Sequence, residues 1–550
     1  MFIRTKTTPN SPRKSVQVVE SIRVDGKVKQ KIVRHIGIAD DEAELVALLE
    51  IAQYEKAMLE ATHQPQLFSP EEVVAQIAAQ PVKKAVPDQV KLSDLREQSR
   101  TIVGIHHVYG EIFDQLNLGS LFGARLAAWR PVLKDLVMAR IANPDSKRAS
   151  VRMLEQDFGL SHSVDHVYRL MDKLNDAAID RLQGLAYQAA SDLLGRSISV
   201  AFYDCTTLYF ESFDEDELRQ KGFSKDHKNQ ETQVLLAMLT TTEGLPLGYE
   251  LFPGATFEGH SLIPVITALQ SRYRLEKIVF VADRGLFSEE NLGFLEAQDL
   301  TYVVGARIKN LPAALTKEIK EKDSYQPIDL TDSCIDDVVK VKEFQHKGRR
   351  LVVSLSERRA RKDQEDREQA MKKLRKKLGR SDDVNTFIGH SKKYLTQEGT
   401  ANLTIDEDKI LAAKSFDGLA GIITNAKEPI ATLLAHYHGL WQIEETFRIS
   451  KHDLKIRPIY HWKPERIKAH LAISFAALMC IRHLTHRCAH QYQKLSPEVI
   501  RRELIHVQVS VLQHQKTKQR YALPSAIGAH AERLYKLVGK PYSDAPYCYD

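Results

Sequence analysis

Residues 277–283 read KIVFVAD, five consecutive apolar residues that end on a carboxylate. A strand with one wet face alternates apolar and polar positions. A run without alternation is buried on both faces, so it needs packed layers above and below it. The neighbouring segments supply those layers. SISVAFYDCTTLYF (197–210) reads as one strand, and TQVLLAMLTTTEGLPLGYELF (232–252) as two strands around Glu243-Gly244. A helix from about Ser261 to Arg274 precedes KIVFVAD, and a short helix separates it from the strand TYVVGARI (301–308). FDGLAGIITN (416–425) is a further strand, followed by a long helix over about 428–453. The fold class is α/β, a mixed sheet with helices packed on it.

The chain has 550 residues, room for roughly three or four domains. Residues 1–60 predict a β-hairpin plus a helix, with VQVVESIRV and KVKQKIV meeting across Asp25-Gly26. Lys27, Lys29 and Lys31 alternate on the second strand, as a basic ribbon or as a wet sheet face. Residues 61–95 hold four prolines without sustained periodicity and read as a linker. Residues 96–195 are helical: Pro131 starts one helix, Asn143-Pro144-Asp145 ends it, and Ser146 caps the next. Lys147, Arg148 and Arg152 suit a helix-turn-helix DNA reader or a generic three-helix packing. Residues 196–309 and 411–480 are two parts of the core, 310–410 an insertion subdomain, and 481–550 a helical, His-rich tail.

Charge is unevenly placed. Between Glu357 and Arg380 stand 11 Lys/Arg and 5 Asp/Glu, an excess equal to the net +6 of the whole chain. A local basic field serves a polyanion partner, or a solvated mixed-charge helix. Five cysteines, at 205, 334, 480, 488 and 548, form no C-x-x-C pair. Neither a disulfide framework nor a zinc ribbon is indicated, and a reducing, cytoplasmic setting fits. Met1 to Lys14 lacks the apolar core of a secretory signal, and the apolar stretch Ala469 to Ile481 is too short to span a bilayer.

Two acids hold informative positions. Asp204 lies in a strand among Val200, Phe202 and Leu208, and Asp283 ends the KIVFVA run. Carboxylates at adjacent strand ends of an α/β sheet converge where ligands usually bind. A third acid follows from helical spacing: Tyr437, Leu440, Glu444, Phe447 and Lys451 share one largely apolar face that should pack on the sheet. A carboxylate there is costly unless paired or metal-bound. Three carboxylates around one pocket suit Mg²⁺ or Mn²⁺, and two such ions serve phosphodiester chemistry. A strand ending in Asp-x-Thr also suits aspartyl-phosphate chemistry, but the second acid that chemistry requires is Thr206 here.

The helix Y-H-G-L-W-Q-I-E-E-T-F-R-I-S-K (437–451) closely resembles the Y-x₂-R-x₃-E-x₆-K signature of bacterial insertion-sequence DDE transposases, with Tyr437, Glu444 and Lys451 on its Tyr, Glu and Lys. Leu440 stands where that signature has Arg, and Arg448 is the candidate substitute. YDCTTLYFE (203–211) and ADRGLFSEEN (282–291) resemble the two Asp motifs, GFSKDHKNQETQV (222–234) and DGLAGIITN (417–425) also match, and so does the N-terminal hairpin. The resemblance implies an RNase H-like core with an insertion between the second Asp and the Glu, here 161 residues apart. It implies catalysis by Asp204, Asp283 and Glu444 holding two Mg²⁺ or Mn²⁺ ions. Tyr437, Lys451, Arg448, Lys225 and Arg284 are implied to contact DNA. The implied reaction is cleavage at element ends and transfer of the 3′-hydroxyl strand to target DNA, by a homodimer and without a membrane. His483, His486, Cys488 and His490 are crowded, but no second cluster supports a zinc module, and a wet basic helix touching DNA is the preferred reading. No Gly-rich phosphate loop or dinucleotide fingerprint is present.

Overall fold

The computed structural model describes residues 2–7, 13–24, 27–39, parts of 45–59, 90–195, 197–222, 230–272, 278–286, 288–330, 337–378, 393–398 and 402–549. They divide into two units, 1–94 with 515–521 and 547–550, and 95–514 with 522–546. In the first, β1 (Phe2–Thr7), β2 (Lys14–Val24) and β3 (Lys27–Ala39) form an antiparallel sheet in that order, so a third strand joins the expected hairpin. Val24 pairs with Lys27, as a two-residue turn requires; the turn residues 25 and 26, and 61–89 of the expected linker, lie outside the described residues. Val16 and Val18 pack with Ala39, Leu45 and Ala52, whereas Lys31 is exposed.

The second unit opens with β4 (Leu95–Ile102), then α1 (Gly104–Gln115), α2 (Arg130–Ala142), α3 (Lys147–Phe158), α4 (Val164–Met171) and α5 (Asp176–Leu194). Local chemistry sets these boundaries. Pro131 stands in the first turn of α2. Ser146 Oγ accepts the Ala149 N–H and caps α3, and Gly159 ends it at φ +69°. Of the three cations assigned to a DNA reader here, Arg148 and Arg152 are exposed, but Lys147 is buried.

A nine-stranded sheet follows. Its strands in chain order are β5 (Val200–Tyr209), β6 (Gln233–Thr240), β7 (Pro246–Pro253), β8 (Val279–Ala282), β9 (Thr301–Ala306), β10 (Gln326–Pro327), β11 (Val339–His346), β12 (Arg349–Ser356) and, after β13 (Leu395–Glu398) and β14 (Asn402–Ile405), β15 (Leu419–Thr424). The spatial order is β10-β11-β12-β15-β9-β8-β5-β6-β7. β5, β8 and β9 run parallel, and every other pairing is antiparallel. The apolar run of β8 is buried throughout because the two faces meet different cores. Val279 and Val281 join one, and Phe280 and Ala282 the other.

Helices α6 (Leu262–Arg272) and α7 (Glu289–Ala297) cover the second face. The first face is covered by α1 to α5 and by helices late in the chain: α11 (Ile430–His438), α12 (Trp441–Arg448) and α13 (Pro464–Gln491). α13 is long and apolar enough to cross a bilayer, but 89% of its apolar window is buried in the protein. Within residues 310–410, β10 to β12 extend the main sheet, whereas the basic helix α9 (Glu357–Leu378) packs with β13, β14 and α10 (Glu407–Lys414) around Met371, Leu374, Tyr394 and Leu395. The short helix α8 (Ala313–Ile319) precedes them. The tail is not helical throughout: between α14 (Pro497–Ile505) and α15 (Ala529–Leu537), β16 (Gln508–His514) pairs with β4. The alternation of Val509 and Val511 carries that strand.

Candidate active site

β5 and β8 are in register from Val200 with Val279 to Tyr203 with Ala282. The next residue along β5 is Asp204, and the first residue beyond β8 is Asp283. Period two puts Asp204 on the face of Phe202, and Phe202 and Val281 share one core. The opposite side of β5 is fixed by a buried knot. The Tyr203 hydroxyl and Ser261 Oγ are 2.7 Å apart, the Cys205 thiol donates to the Tyr203 hydroxyl at 3.3 Å, and Ser261 Oγ donates to Glu258 O at 2.5 Å. Burial pushes that thiol up to about 12, so it serves as a packing group and not a nucleophile.

Beyond β8 the chain turns, with Leu286 N–H bonding back to Asp283 O. Arg307 braces this turn, its Nε donating to Arg284 O at 3.1 Å and its Nη2 to Gly285 O at 3.4 Å. Gly305, two residues before it, lets Tyr437 approach from α11. The Tyr437 hydroxyl donates to Asp283 Oδ1 at 3.5 Å. Burial, with Asp283 beside it, pushes the phenol up to about 12, so it remains a donor at neutral pH.

The expected long helix is broken. α11 ends at His438, Gly439 and Leu440 form a turn, α12 follows, and residues Ile449–Asp453 make a π turn. At Gly439 a Cβ would stand 2.6 Å from Phe202 Cζ, so glycine allows the junction to lie on β5. The break shifts the buried stripe. Ile443, Thr446, Phe447, Ile449 and Ser450 are buried, while Glu444 is exposed instead of lying on the core-facing stripe. Thr446 Oγ1 donates to Gly244 O, and Arg482 of α13 donates to Gly244 O and Glu243 O, which fastens α12 to the β6–β7 turn.

Adjacent glutamates differ in availability. Glu445 takes both Arg448 Nε (2.7 Å) and Nη2 (2.6 Å), which holds its carboxyl below the usual range. Among the described residues no hydrogen bond or ion pair engages the Glu444 carboxylate. Arg448, expected on DNA, is occupied by Glu445 and stands 3.7 Å from Asp453. Lys451 is half-buried in the π turn, Arg284 is exposed, and Lys225 lies outside the described residues.

No three His, Cys, Asp or Glu side chains among the described residues already stand at metal-ligand spacing. The expected convergence of three carboxylates is thus not a preformed cluster. Asp204 and Asp283 take neighbouring register positions, and the helix of Glu444 lies over the same face. Like charges repel without a cation among them, which opposes closer approach. The crowded histidines are not a metal site either. His483 is buried in α13, and burial holds it down to about 3, whereas His486 is half-buried and His490 exposed.

Next to Asp283 opens a cavity of about 860 Å³, walled by Arg284, Arg307, Lys309, Arg359 and Lys393 and by Tyr437. Asp363 and Asp366 also line it, as does Arg367, which is tied to Asp417 by two bonds of 2.6 Å. The basic helix α9 therefore forms one wall of a cationic groove beside the candidate acids. Arg307, Lys309 and Gly305 were not singled out in the sequence. A glycine inside the apolar strand TYVVGARI was the available signal, since it marks a close approach.

The site thus combines a mixed sheet, Asp204 on one parallel strand, Asp283 just after the next, and a cationic groove that opens at Arg284 and Tyr437. Residues 195–480, just over half of the chain, match the transposase DDE domain family, and the chain belongs to that family. Residues 3–66 match the N-terminal domain of IS1634 family transposases, so this is a transposase of the bacterial insertion-sequence kind. No curated protein matches the sequence. Among solved structures the chain is similar to piggyBac transposase in a synaptic complex with hairpin DNA, at 11% identity over 73% of this chain and 76% of that one, with a TM-score of 0.37. It is also similar to Mos1 transposase in a paired-end complex with the left transposon end, at 14% identity over 50% and 78%, with a TM-score of 0.14. Likenesses at these scores carry no weight beside the family matches.

Proposed function

We propose that the chain binds the ends of its insertion sequence, hydrolyses phosphodiesters there and transfers the 3′-hydroxyl strand to target DNA. Asp204, Asp283 and Glu444 are the catalytic acids in this reading. What carries it is the register that makes Asp204 and Asp283 neighbours under the helix of an unengaged Glu444, beside a cationic groove. The strand order β7-β6-β5-β8-β9, antiparallel then parallel, supports the RNase H-like core.

The donor set fits a hard divalent cation, because all three groups are carboxylates and one is free of competing cations. Asp204 and Asp283 would share two Mg²⁺ or Mn²⁺ ions, with Glu444 completing one of them. Bound there, such ions activate the attacking oxygen and stabilise the leaving one. The protein's own groups do the rest. Tyr437 holds the Asp283 carboxylate by its hydroxyl, and Arg307 holds the turn that carries it. Arg284, Lys309, Arg359 and Lys393 present charge to the phosphates flanking the cut. Lys451 and Lys225 are further phosphate contacts in this reading, and Arg448 would join them only on leaving Glu445. The partners are the terminal inverted repeats and target DNA, met in the cytoplasm by a homodimer that supplies one site to each end.

The test uses end duplexes and a supercoiled target with Mg²⁺, Mn²⁺ or chelator. Wild type should nick the end and join it to the target, and Asp204→Asn, Asp283→Asn and Glu444→Gln should each abolish both steps while still binding DNA. Cleavage without joining would make the chain a nuclease. Binding without either step, in wild type, would make it a non-catalytic DNA-binding relative.

A further inference from the structure

A second cavity, of about 420 Å³, lies between the start of α3 and the segment that leads into α13. None of the three candidate acids lines it. Its floor includes Arg140 and Lys147, each only 4% exposed. Two buried cations without buried carboxylates are costly, and such groups normally come paired. Here the partners are missing. Among the described residues the Lys147 ammonium has no hydrogen bond or ion pair, and Arg140 donates a single long bond, Nη1 to Leu454 O at 3.4 Å. One carboxylate, Asp145, stands at the rim. It is exposed, and its Oδ1 already accepts the Ser146 N–H at 2.6 Å.

The surroundings add to the positive field. Lys147 is the first residue of α3, so the N-terminal end of a 12-residue helix borders the cavity. Lys455 and Arg148 are exposed at its mouth. His461 faces the same space and is held down to about 3 by burial, then by Lys147 and Arg140. His470 spends Nε2 on Ile456 O and leaves its buried Nδ1 unpartnered.

We propose that this cavity binds a phosphate dianion, either free phosphate or the terminal monoester of a nucleic-acid strand. The charge count sets the class. Arg140, Lys147, Arg148, Lys455 and Arg457 line the cavity against a single carboxylate, Asp145, an excess of basic groups that suits the nearly two negative charges of a monoester better than the one of a backbone diester. Arg140 offers a planar fork and Lys147 a point charge, the pair that phosphate oxygens accept. The site stands whatever chemistry the three carboxylates perform.

The test is thermal unfolding of the full chain in chelator, with inorganic phosphate titrated against chloride at constant ionic strength. Wild type should show a saturable rise in melting temperature. Lys147→Met should weaken phosphate at least tenfold and, in chloride, melt no lower than wild type, since it removes an unpartnered buried amine. Lys455→Gln, at the exposed mouth, should weaken phosphate several-fold without changing the chloride melting point, and it keeps the test decisive if Lys147→Met fails to fold. A second arm compares short single strands bearing a 5′-phosphate or a 5′-hydroxyl. A preference for the phosphate that Lys455→Gln reduces assigns a strand end as the source. Equal binding of both strands, with the response to inorganic phosphate retained, assigns the free anion. No saturable response in wild type to either phosphate probe, or responses unchanged in the variants, overturns the proposal.

Discussion

Gly305→Ala should disable the site without unfolding the protein. An added Cβ on β9 would stand 2.3 Å from Tyr437 Oη and 2.9 Å from Arg284 N. Ordinary contact needs about 3.5 Å, so the phenol and the turn after Asp283 must together give way by about 1 Å. A shift of that size at reacting groups costs about 10²-fold in rate. The accompanying overpacking should cost about 1–3 kcal/mol of stability. Magnesium-dependent cleavage of an element-end duplex and thermal melting measure the two effects separately. Tyr437→Phe removes the atom at 2.3 Å and leaves ring carbon Cζ at 3.1 Å. In that background Gly305→Ala should therefore cost less, with a coupling of about 0.5–3 kcal/mol. A Gly305→Ala enzyme that cleaves at the wild-type rate, or that loses equally in both backgrounds, would refute the placement of Tyr437 against Asp283.

Three further outcomes are expected. Glu444→Gln should abolish cleavage, whereas Glu445→Gln should lose only its half-exposed pairing with Arg448, about 1 kcal/mol or less, as read by melting and by cleavage rate. Replacing Lys372, Lys373, Lys376 and Lys377 with Gln should weaken binding to element-end and random duplexes alike and flatten the salt dependence; a loss confined to element ends would contradict a phosphate-contacting α9. Burial lowers the His483 pKa from its ordinary 6.5 to about 3, with smaller contributions from His486 and Arg487, so the folded state keeps it neutral. That stability is complete above about pH 6.5 and is lost as pH falls toward 3, because the unfolded chain takes up the proton first. His483→Leu should flatten the decline in melting temperature over that range, and an unaltered slope would count against a neutral buried imidazole.

Asp283 was legible as an acid at a strand end, whereas Asp204 lies inside β5 and showed only as a lone acid among apolar neighbours. An apolar run that stops on a charged residue fixes both the strand and the position of the acid. The setting of Glu444 was not legible. Helical spacing assumes one unbroken helix, whereas the chain turns at Gly439 against Phe202, and beyond that turn the buried stripe runs through Ile443 and Phe447. The junction of β12 with β15 was hidden for another reason. Their pairing joins residues such as Val353 and Gly421, far apart in the chain, and nothing local encodes it. Lys147, with Arg148 and Arg152, suited either a helix-turn-helix DNA reader or a generic three-helix packing, and tertiary packing buried it. The Arg307 brace depends on two backbone carbonyls, which no sequence pattern displays.

The core on the Asp204 face has a consequence for synthesis. α13 packs against α1, α2, α4 and α5 and closes that core, yet it is among the last helices to leave the ribosome. It trails α1 by about 360 residues, on the order of 20–70 s at 5–20 residues per second. During that interval the nascent chain exposes an apolar surface that no earlier segment can cover. A prematurely terminated product lacking α13 therefore cannot mature into a smaller working enzyme. Such a product is a client for chaperones or proteases.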